Sequence, residues 1–511
     1  MQPDRATVPL VDRLTELSPF TTIALALTMG ALSGLGHAPF GVWPLTILGL
    51  CGAGLLFRAA SVPRRAAWIG WAFATGSYLV SLHWIVEPFL VDVARHGWMA
   101  PFALVFMAGG LALFFAAAFW GAHRWGGLAL LAVALAVAEL ARGYMLSGFP
   151  WNLVGYVWID TPVAQLAVLI GPYGLSLFTL VVALLPAALI GQNARSLAIG
   201  LGLLAVLVSG AFGYGLMVQA AAESDIQDST DRPLVRVIQP NAPQHLKWHP
   251  DHMQLFFDRA VAATAARPTP DLIVWPETSV PALLNYADET LDYVVQQAPG
   301  ASIVLGAQRR DTLQNYYNSL VIIDGATRAR QTYDKHYLVP FGEYLPLAGL
   351  LGNWGLSALA DQFGGGYSAG AGPQVLDTGA AGQALPLICY EAVFPQNLRG
   401  VSIRPDYLLQ ITNDAWFGGF SGPFQHLVQA RFRAIEQGLP MVRAANTGVS
   451  AIINPQGQIL ASLDLNTDGY VDARLPLAAA PTPYSKYGDV PIAVILLLLA
   501  AMLSALPRNK H

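Results

Sequence analysis

Long apolar segments dominate the first 218 residues of this chain, and they constrain its fold more than any other feature of the sequence. A helix needs about 20 apolar residues to cross a hydrocarbon core of roughly 30 Å, with a range near 17–25. Seven segments before Gln219 and an eighth near the end of the chain satisfy this rule. They cover residues 20–36, 42–59, 66–86, 99–121, 126–146, 162–190, 196–218 and 490–506. The sequence therefore predicts an α-helical membrane bundle of about eight spans.

Charged residues are scarce and unevenly distributed along the chain. They make up 12% of the 511 residues, whereas a soluble domain carries roughly 25%. Up to Val218 there are 16 Asp, Glu, Lys and Arg residues in 218, and from Gln219 onward there are 44 in 293. This distribution argues against one soluble globule and against disorder. A net charge of −4 with no dense run of Lys and Arg argues against nucleic acid as a partner.

Basic residues predict the orientation of the spans, because short loops rich in Lys and Arg are retained in the cytoplasm. With the N-terminus in the cytoplasm, the basic residues collected on that side are Arg5, Arg13, Arg58, Arg64, Arg65, Arg124, Arg195, Arg508 and Lys510. The short loops on the opposite side contain only Arg95. We expect three parts: a membrane domain at 1–218, an external domain at 219–489, and a last span with a cytoplasmic tail at 490–511.

The external segment has the pattern of a layered α/β domain. Short apolar or β-branched runs recur between polar and Gly/Pro stretches, and helical patterns fit residues 253–266 and 425–437. The runs are LVRVIQ from Leu234, DLIVW from Asp271, SIVLGAQ from Ser302, NSLVIID from Asn318, LPLICY from Leu385, YLLQIT from Tyr407, MVRAAN from Met441 and SAIINP from Ser450. About 270 residues suffice for one such domain with its own core.

Three residues in this domain could carry chemistry, although each also has a structural alternative. Glu277 follows an apolar run and the strand-stopping Trp-Pro of IVWPE, where it could instead cap a helix. Lys335, in YDKHYLVPFGEYLP, could form a surface salt bridge with Glu343. Cys389 ends the apolar run of LPLICYEAVFP, where it could be a buried structural thiol. The sequence contains no HExxH or CxxC string, so we expect no metal site.

Together, the three strings are much more specific than any one of them. WPE, K-x4-PFGEY and CYE, in this order over about 110 residues, resemble the nitrilase superfamily with its Glu-Lys-Cys triad. Four further strings narrow the resemblance to the bacterial apolipoprotein N-acyltransferase family, and it then covers nearly the whole chain. These strings are HAPFG at 37–41, GFPWN at 148–152, QPNAPQHLKW at 239–248 and TNDAWFG at 412–418.

The resemblance implies a fold, an activity and a location. The external domain would be a nitrilase-like αββα sandwich that needs no cofactor, placed on the periplasmic side of the bacterial inner membrane. The enzyme would move a fatty acyl chain from the sn-1 position of a phospholipid, with phosphatidylethanolamine as the expected donor. The acceptor would be the N-terminal amine of the S-diacylglyceryl-cysteine of apolipoproteins. The acyl chain would pass through a thioester in a ping-pong mechanism.

The resemblance also implies roles for individual residues. Cys389 would be the nucleophile, Glu277 the general base, and Lys335 the group that stabilises the oxyanion together with the backbone N–H of Tyr390. Glu343 would hold Lys335 in place. Trp248, Tyr390 and Glu391 are expected to support the activity.

A mobile lid at the membrane surface is predicted over residues 345–373, where apolar anchors alternate with Gly-rich stretches. The residues expected at the lid or at lipid entry are Trp151, Trp354, Phe363 and Trp416. A surface loop packed by its own Leu and Trp side chains is the alternative for this segment.

Two other functions remain open from the sequence alone. A membrane-bound amidase or nitrile hydrolase could use the same triad on a soluble substrate, although one span would suffice to tether it. A transporter or sensor could use the external domain only to bind a ligand, but the spans contain few charges beyond Glu139 and Arg142.

Overall fold

A computed structural model describes residues 10–223, 231–346 and 366–506. The described chain divides into two compact units. The first holds the residues up to 222, residues 420–428 and those from 482 onward, and the second holds residues 223–419 and 429–481. The predicted lid residues Trp354 and Phe363 lie outside the described residues, as do Arg5, Arg508 and Lys510.

Each of the eight predicted apolar segments contains a helix. The helices are Pro19–Gly34, Trp43–Arg58, Pro63–Ser81, Ala100–Trp125, Leu128–Tyr144, Ala167–Leu189, Ala194–Glu223 and Val490–Ala505. Short helices accompany them at Leu10–Thr15, Glu87–Leu90, Val93–His96 and Pro483–Tyr487. The sequence accounts for several of the helix starts, because proline lacks the N–H that a first turn leaves unpaired. Pro19 begins such a helix, and the Ser18 side chain caps it by accepting from Thr21 N.

Small residues let two helices of the first unit approach closely. A Cβ atom on Gly30 would lie 1.8 Å from the carbonyl oxygen of Phe73, and one on Gly76 would lie 2.2 Å from that of Leu27. The helices Pro19–Gly34 and Pro63–Ser81 therefore pack backbone against backbone. This packing by small residues is typical of helices that associate in a bilayer.

The lengths of the helices support fewer spans than the sequence predicts. In the described chain, three helical stretches are long and apolar enough to cross a membrane: Val93–Trp125, Pro162–Leu189 and Ala194–Ala221. A fourth possibility is the pair Pro63–Ser81 and His83–Leu90, which is bent by 65°. The apolar helices Pro19–Gly34, Trp43–Arg58 and Val490–Ala505 have 16 residues each, and Leu128–Tyr144 has 17. The helical prediction is thus confirmed, whereas a count of eight spans is not established by length.

The second unit contains two six-stranded sheets. The strands are β1 (Leu234–Gln239), β2 (Leu272–Val274), β3 (Ser302–Arg310), β4 (Tyr316–Ile323), β5 (Arg330–Asp334), β6 (Leu376–Asp377), β7 (Gln383–Ile388), β8 (Tyr407–Thr412), β9 (Met441–Ala445), β10 (Ser450–Ile453), β11 (Ile459–Leu463) and β12 (Gly469–Arg474). One sheet has the order β12-β1-β2-β3-β4-β5, and the other has the order β11-β10-β9-β8-β7-β6. Strands β1 to β3 are parallel, as are β7 to β9. All eight predicted strands are present.

The hydrophobic core lies between the two sheets. Val237 and Val274 of the first sheet share one buried cluster with Ile388, Leu409 and Val442 of the second. On the other face of the first sheet, the helices Pro250–Ala265 and Asp288–Gln297 pack against a second cluster. Helix Gly422–Gln437 precedes β9. The predicted layered α/β domain is confirmed, and its parallel strands bring several carboxyl ends to one edge of each sheet.

Candidate active site

Glu277 lies just beyond the end of β2, where Pro276 stops the strand. Its side chain is buried, with 6% of the residue exposed. Oε1 accepts a hydrogen bond from Asn318 Nδ2 at 2.6 Å, and Oε2 accepts one from the backbone N–H of Asn413 at 2.8 Å. Both carboxylate oxygens are thus fixed by neutral donors. The structural alternative, a helix-capping glutamate, is not observed.

Lys335 follows β5 directly and is 1% exposed. Its Nζ donates to Glu343 Oε1 at 2.8 Å and lies 3.9 Å from Glu277 Oε1. The other oxygen of Glu343 accepts from the backbone N–H of Val339 at 2.8 Å. Glu343 therefore ties the lysine to the turn that follows it. This contact agrees with the predicted role of Glu343 as the residue that holds Lys335 in place.

Cys389 occupies a strained turn directly after β7. Its φ of 51° is unusual for a residue with a side chain. Here the chain passes from the strand into the 3₁₀ helix Cys389–Val393. Because the side chain projects from a tight strand-to-helix turn, it can face the ends of neighbouring strands. Cys389 interacts electrostatically with both Glu277 and Lys335, so the structure assembles the three predicted residues in one site.

Burial and neighbouring charges shift the pKa of each ionisable group in this site. Burial raises the pKa of the Cys389 thiol, Glu277 adds to the rise, and Lys335 opposes it. Burial also raises the pKa of Glu277, with Lys335 acting against the increase and Glu343 reinforcing it. Burial alone would lower the pKa of Lys335, but the carboxylates of Glu343 and Glu277 reverse that effect and raise it. The arrangement favours a neutral thiol at Cys389 beside a charged ammonium group at Lys335.

Glu391 joins the cysteine turn to the lysine loop. The carboxylate is fully buried; Oε2 accepts from the backbone N–H of Ile388 at 2.7 Å, and Oε1 accepts from the N–H of His336 at 2.8 Å. Tyr333 OH donates to the same carboxylate at 2.9 Å. Ile388 and His336 are the immediate neighbours of Cys389 and Lys335. Glu391 therefore links the turn that carries Cys389 to the loop that carries Lys335.

A buried polar network packs against the turn that carries Cys389. The Thr412 hydroxyl forms a hydrogen bond with the Cys389 side chain and donates to Asp414 Oδ1 at 2.9 Å. Gln410 Nε2 donates to the carbonyl oxygen of Cys389 at 3.2 Å. Arg443 donates to both Gln410 and Asp414. Because all of these groups are buried and paired, they hold the cysteine turn rigidly from the β8 side.

The sequence analysis did not single out two of the residues that contact Glu277. Asn318 donates to Glu277 and also lies 3.4 Å from Glu343 Oε1, so its amide bridges the two carboxylates. Asn413 holds Glu277 through its backbone, and its side chain donates to Gln244 Oε1 at 2.8 Å. A signal was available for both. Asn318 opens a predicted strand, and Asn413 belongs to the TNDAWFG string.

The supporting residues occupy different environments. Tyr390 is buried in the first turn of the 3₁₀ helix, and its ring packs against Phe394 with centroids 4.9 Å apart. Trp248 is 42% exposed, and its ring lies 5.3 Å from Lys247 Nζ. Trp416 is 41% exposed in the 3₁₀ helix Asp414–Phe417.

Trp151 lies in the interior of the first unit. The residue is fully buried, and its Nε1 donates to Gln425 Oε1 at 2.8 Å. Its ring packs against Trp84, with centroids 4.5 Å apart. The preceding backbone is held by Arg142, which donates to the carbonyl oxygens of Phe149 and Trp151. A role at lipid entry would require exposure that this ring does not have, so that role remains a prediction without support from its position.

No metal site is found in the described residues, because no group of three or more His, Cys, Asp and Glu side chains has a suitable arrangement there. The chemistry available to the site is that of a thiol, a carboxylate and an ammonium group. A thiol with an adjacent base can form a covalent acyl intermediate. An ammonium group close by can stabilise the negative charge that develops on a carbonyl oxygen.

Comparisons with known proteins agree with this chemistry. Residues 234–481 match the carbon-nitrogen hydrolase family, and residues 29–185 match the apolipoprotein N-acyltransferase N-terminal domain. An amidase of the nitrilase superfamily from Nesterenkonia covers 52% of this chain and 97% of its own, at 18% sequence identity and a TM-score of 0.36. The sequence matches thus define residues 234–481 as a carbon-nitrogen hydrolase domain that follows an apolar helical domain in the chain.

Full-length relatives identify the family more narrowly. The apolipoprotein N-acyltransferase of Rhodopseudomonas palustris is 38% identical over 93% of both chains. That of Caulobacter vibrioides is 38% identical over 95% of both chains. The chain belongs to the apolipoprotein N-acyltransferase family. The predicted family and the predicted enzyme class, an acyltransferase, are therefore confirmed.

Proposed function

We propose that this chain transfers a fatty acyl group from the sn-1 position of a membrane phospholipid to the N-terminal amine of the S-diacylglyceryl-cysteine of apolipoproteins. The convergence of Glu277, Lys335 and Cys389 in one buried site is the observation that carries the proposal. The name that its relatives share supports the acceptor. Phosphatidylethanolamine is the proposed donor.

The first half-reaction acylates the enzyme. Glu277 takes the proton of the Cys389 thiol as the sulfur attacks the ester carbonyl carbon of the phospholipid. The tetrahedral intermediate then collapses, the ester C–O bond breaks, and Glu277 returns the proton to the departing alkoxide of the lysophospholipid. The product is a thioester on Cys389. The raised pKa of Glu277 suits this role, because it brings the carboxyl closer to neutral pH.

The second half-reaction transfers the acyl chain to nitrogen. The amine of the lipoprotein cysteine attacks the thioester carbonyl, Glu277 accepts a proton from that amine, and the C–S bond breaks. An amide forms and the Cys389 thiol is restored by the proton held on Glu277. Thioesters react readily with amines, so splitting an ester-to-amide exchange into these two steps lowers the barrier to each.

Lys335 and the backbone N–H of Tyr390 stabilise the oxyanion in both half-reactions. The ammonium group is already oriented by Glu343 at 2.8 Å, so it needs no reorganisation when negative charge appears on the substrate. Glu391 supports this geometry by holding the two loops together. Trp248 is proposed to contact substrate, because its ring is partly exposed and lies beside Lys247, which donates to the carbonyl oxygen of Glu277.

We further propose the organisation and location given by the apolar segments and the basic residues. Residues 1–218 form a seven-span membrane domain, residues 219–489 form the catalytic domain with its linkers, and residues 490–511 form the last span and tail. Both termini are cytoplasmic and the catalytic domain is periplasmic, in the inner membrane of a bacterium. The 16-residue apolar helices cross the bilayer together with residues that flank their ends. Trp416, Trp354 and Phe363 belong to a lipid-entry region.

The match to carbon-nitrogen hydrolases favours one alternative, a membrane-bound amidase or related hydrolase. Both activities pass through an acyl-cysteine, and they differ in the group that accepts the acyl chain. Water accepts it in a hydrolase, whereas the lipoprotein amine accepts it in the proposed transferase.

The experiment that separates the two uses purified enzyme, phosphatidylethanolamine labelled in its sn-1 acyl chain, and a synthetic diacylglyceryl lipopeptide. The label should appear on the α-amine of the lipopeptide. Cys389→Ser should abolish this transfer, while Cys51→Ser, at the chain's other cysteine, should retain it. Label recovered only as free fatty acid, at the same rate with and without lipopeptide, would establish the hydrolase instead.

A further inference from the structure

Lys247 is a buried lysine next to the general base. It precedes Trp248 in the loop between β1 and helix Pro250–Ala265, and only 6% of the residue is exposed. Lysine is strongly hydrated and is rarely buried unless its charge is used. Neither the resemblance nor the relatives assign this residue a role.

The contacts of Lys247 are directed at the backbone that carries Glu277. Its Nζ donates to the carbonyl oxygen of Glu277 at 3.0 Å and to Thr278 Oγ1 at 2.9 Å. Both acceptors are neutral. Among the described residues, no carboxylate oxygen lies within 4.0 Å of this ammonium group. The charge of Lys247 is therefore not used in a salt bridge.

The backbone that Lys247 holds is strained and tightly enclosed. Thr278 has a φ of 46°, which is costly for a β-branched residue. A Cβ atom on Gly306 would lie 2.4 Å from Thr278 N and 2.5 Å from Pro276 O. Residues 276–278 are therefore contacted both by a glycine of β3 and by the ammonium group of Lys247. Such a conformation persists only where its surroundings determine it.

The charge of Lys247 also acts on the reacting groups. It interacts electrostatically with Glu277 and Cys389. Burial lowers the pKa of Lys247 to about 8, and those two groups act in the opposite direction, so the lysine is mostly charged at neutral pH. The ionisable groups that face Glu277 in the described site are Lys247, Lys335, Glu343, Tyr367 and Cys389.

We propose that Lys247 is a positioning residue for Glu277: it fixes the 277–278 peptide, and its positive charge favours the carboxylate form of the base. The two buried lysines then have different roles in this site. Lys335 is paired with Glu343 and stabilises the oxyanion. Lys247 donates to the carbonyl oxygen of Glu277 and so holds the peptide that carries the base. The proposal rests on the proposed function of Glu277 as general base.

The test measures the rate of acyl-thioester formation on Cys389, in single turnovers with labelled phospholipid, as a function of pH. Lys247→Met removes the charge but keeps an unbranched side chain. We expect the rate at neutral pH to fall at least about tenfold and the acidic limb of the profile to move to higher pH, because Glu277 then binds its proton more tightly. Lys247→Arg retains the charge and should keep the limb in place. Lys486→Met, at an exposed lysine, is the matched control.

Two further variants keep the test decisive if Lys247→Met unfolds. Lys247→Gln also removes the charge but keeps a polar group at the end of the side chain. Thr278→Val removes one acceptor and leaves the ammonium group intact, so it should slow acylation without moving the acidic limb. A folded Lys247→Met or Lys247→Gln enzyme with an unshifted pH profile would overturn the proposal, whether or not its rate falls uniformly. A shift of the limb in Thr278→Val equal to that in Lys247→Met or Lys247→Gln would also overturn it. If the unsubstituted enzyme forms no thioester, the proposed function itself fails. This outcome differs from the two above, in which the unsubstituted enzyme forms the thioester and only the role of Lys247 fails.

Discussion

The carboxylate of Glu391 accepts a hydrogen bond from the backbone N–H of Ile388 at 2.7 Å, one residue before the nucleophile. Its other oxygen holds the loop that carries Lys335. One fully buried side chain thus links the turn that carries Cys389 to the loop that carries Lys335, although the two are far apart in sequence. These contacts give a physical reason to expect that Glu391 supports the activity.

Removing that carboxylate should cost both activity and stability. Glu391→Ala leaves the buried N–H groups of Ile388 and His336 and the hydroxyl of Tyr333 without their acceptor, at about 1–3 kcal/mol for each unsatisfied group. We expect a lower thermal unfolding midpoint and a loss of acylation of at least about a hundredfold, because small displacements of catalytic groups are costly. Thermal unfolding and thioester formation are measured in parallel. Glu289→Ala, at an exposed glutamate, should change neither, and an active, fully stable Glu391→Ala enzyme would contradict the interpretation.

Asn318 should control the pH at which the base becomes available. Its amide donates to Glu277 and helps to lower the pKa of that carboxyl. Asn318→Ala removes the donor, so the pKa of Glu277 should rise and the acidic limb of the rate profile should move upward. Asn318→Asp, which adds a carboxylate, should move it further. Exposed Asn285 provides the control Asn285→Ala. Equal profiles for all four enzymes would show that Asn318 does not act on the base.

The buried carboxyl of Glu277 should reduce stability at neutral pH. Its pKa is raised in the folded protein, so its contribution to stability is complete below its unfolded pKa and is lost as pH rises through its folded pKa. Glu277→Gln should therefore abolish acylation but raise the unfolding midpoint at pH 7.5, by about 2–4 °C for each kcal/mol regained. The Asn318 side chain can accommodate the new amide, because its Oδ1 has no partner in the described part of the chain.

The pH dependence of that effect provides its own control. The difference between Glu277→Gln and the unsubstituted enzyme should shrink as pH falls toward about 4.5, near the usual pKa of glutamate. Unfolding midpoints at several pH values test this directly. If Glu277→Gln is less stable than the unsubstituted enzyme at pH 7.5, or is stabilised equally at every pH, the charge of the buried carboxylate does not destabilise the folded enzyme.

The proposed orientation can be tested with single cysteines in a background that lacks Cys51 and Cys389. Asp251→Cys replaces a side chain that is 82% exposed in the catalytic domain. Gln192→Cys lies in the exposed turn between the helices Ala167–Leu189 and Ala194–Glu223. In intact bacteria with a permeabilised outer membrane, an impermeant maleimide should label position 251 but not position 192. Labelling of both positions, or only of position 192, would overturn the orientation.

The four strands that the sequence analysis did not predict share one property, their position in the sheets. They are β5, β6, β11 and β12, and these four form the edges of the two sheets. Central strands are covered on both faces and therefore appear as apolar runs. An edge strand such as RQTYD in β5 is partly exposed and carries few apolar residues, so its conformation depends on its neighbour rather than on its own sequence.

The proximity of Glu277, Lys335 and Cys389 was predictable because each belongs to a characteristic string, but the residues that orient these side chains were not. Asn318 reaches Glu277 only because β4 lies beside β3 in a particular register, with Asn318 opposite Gln308. Lys247 reaches the same residue from a loop 30 positions away in sequence. Such contacts depend on the tertiary fold, which the sequence strings do not specify.

Helix lengths were less predictable than helix positions. The segment predicted at 66–86 ends as an α-helix at Ser81, and a 3₁₀ turn begins at His83. The sequence stays apolar through this break, because apolar composition reflects the environment of the side chains. It does not show where the backbone changes from α-helical to 3₁₀ hydrogen bonding.

The central claim is that Cys389 carries the acyl chain between phospholipid and lipoprotein. The most direct measurement is the mass of the Cys389 peptide after the purified enzyme meets phosphatidylethanolamine labelled in its sn-1 chain, before and after addition of a diacylglyceryl lipopeptide. The account predicts an acyl adduct on Cys389 that disappears as an equal amount of label appears on the lipopeptide amine. N-acylated lipopeptide formed without any adduct on Cys389, or formed equally well by Cys389→Ser, would contradict it.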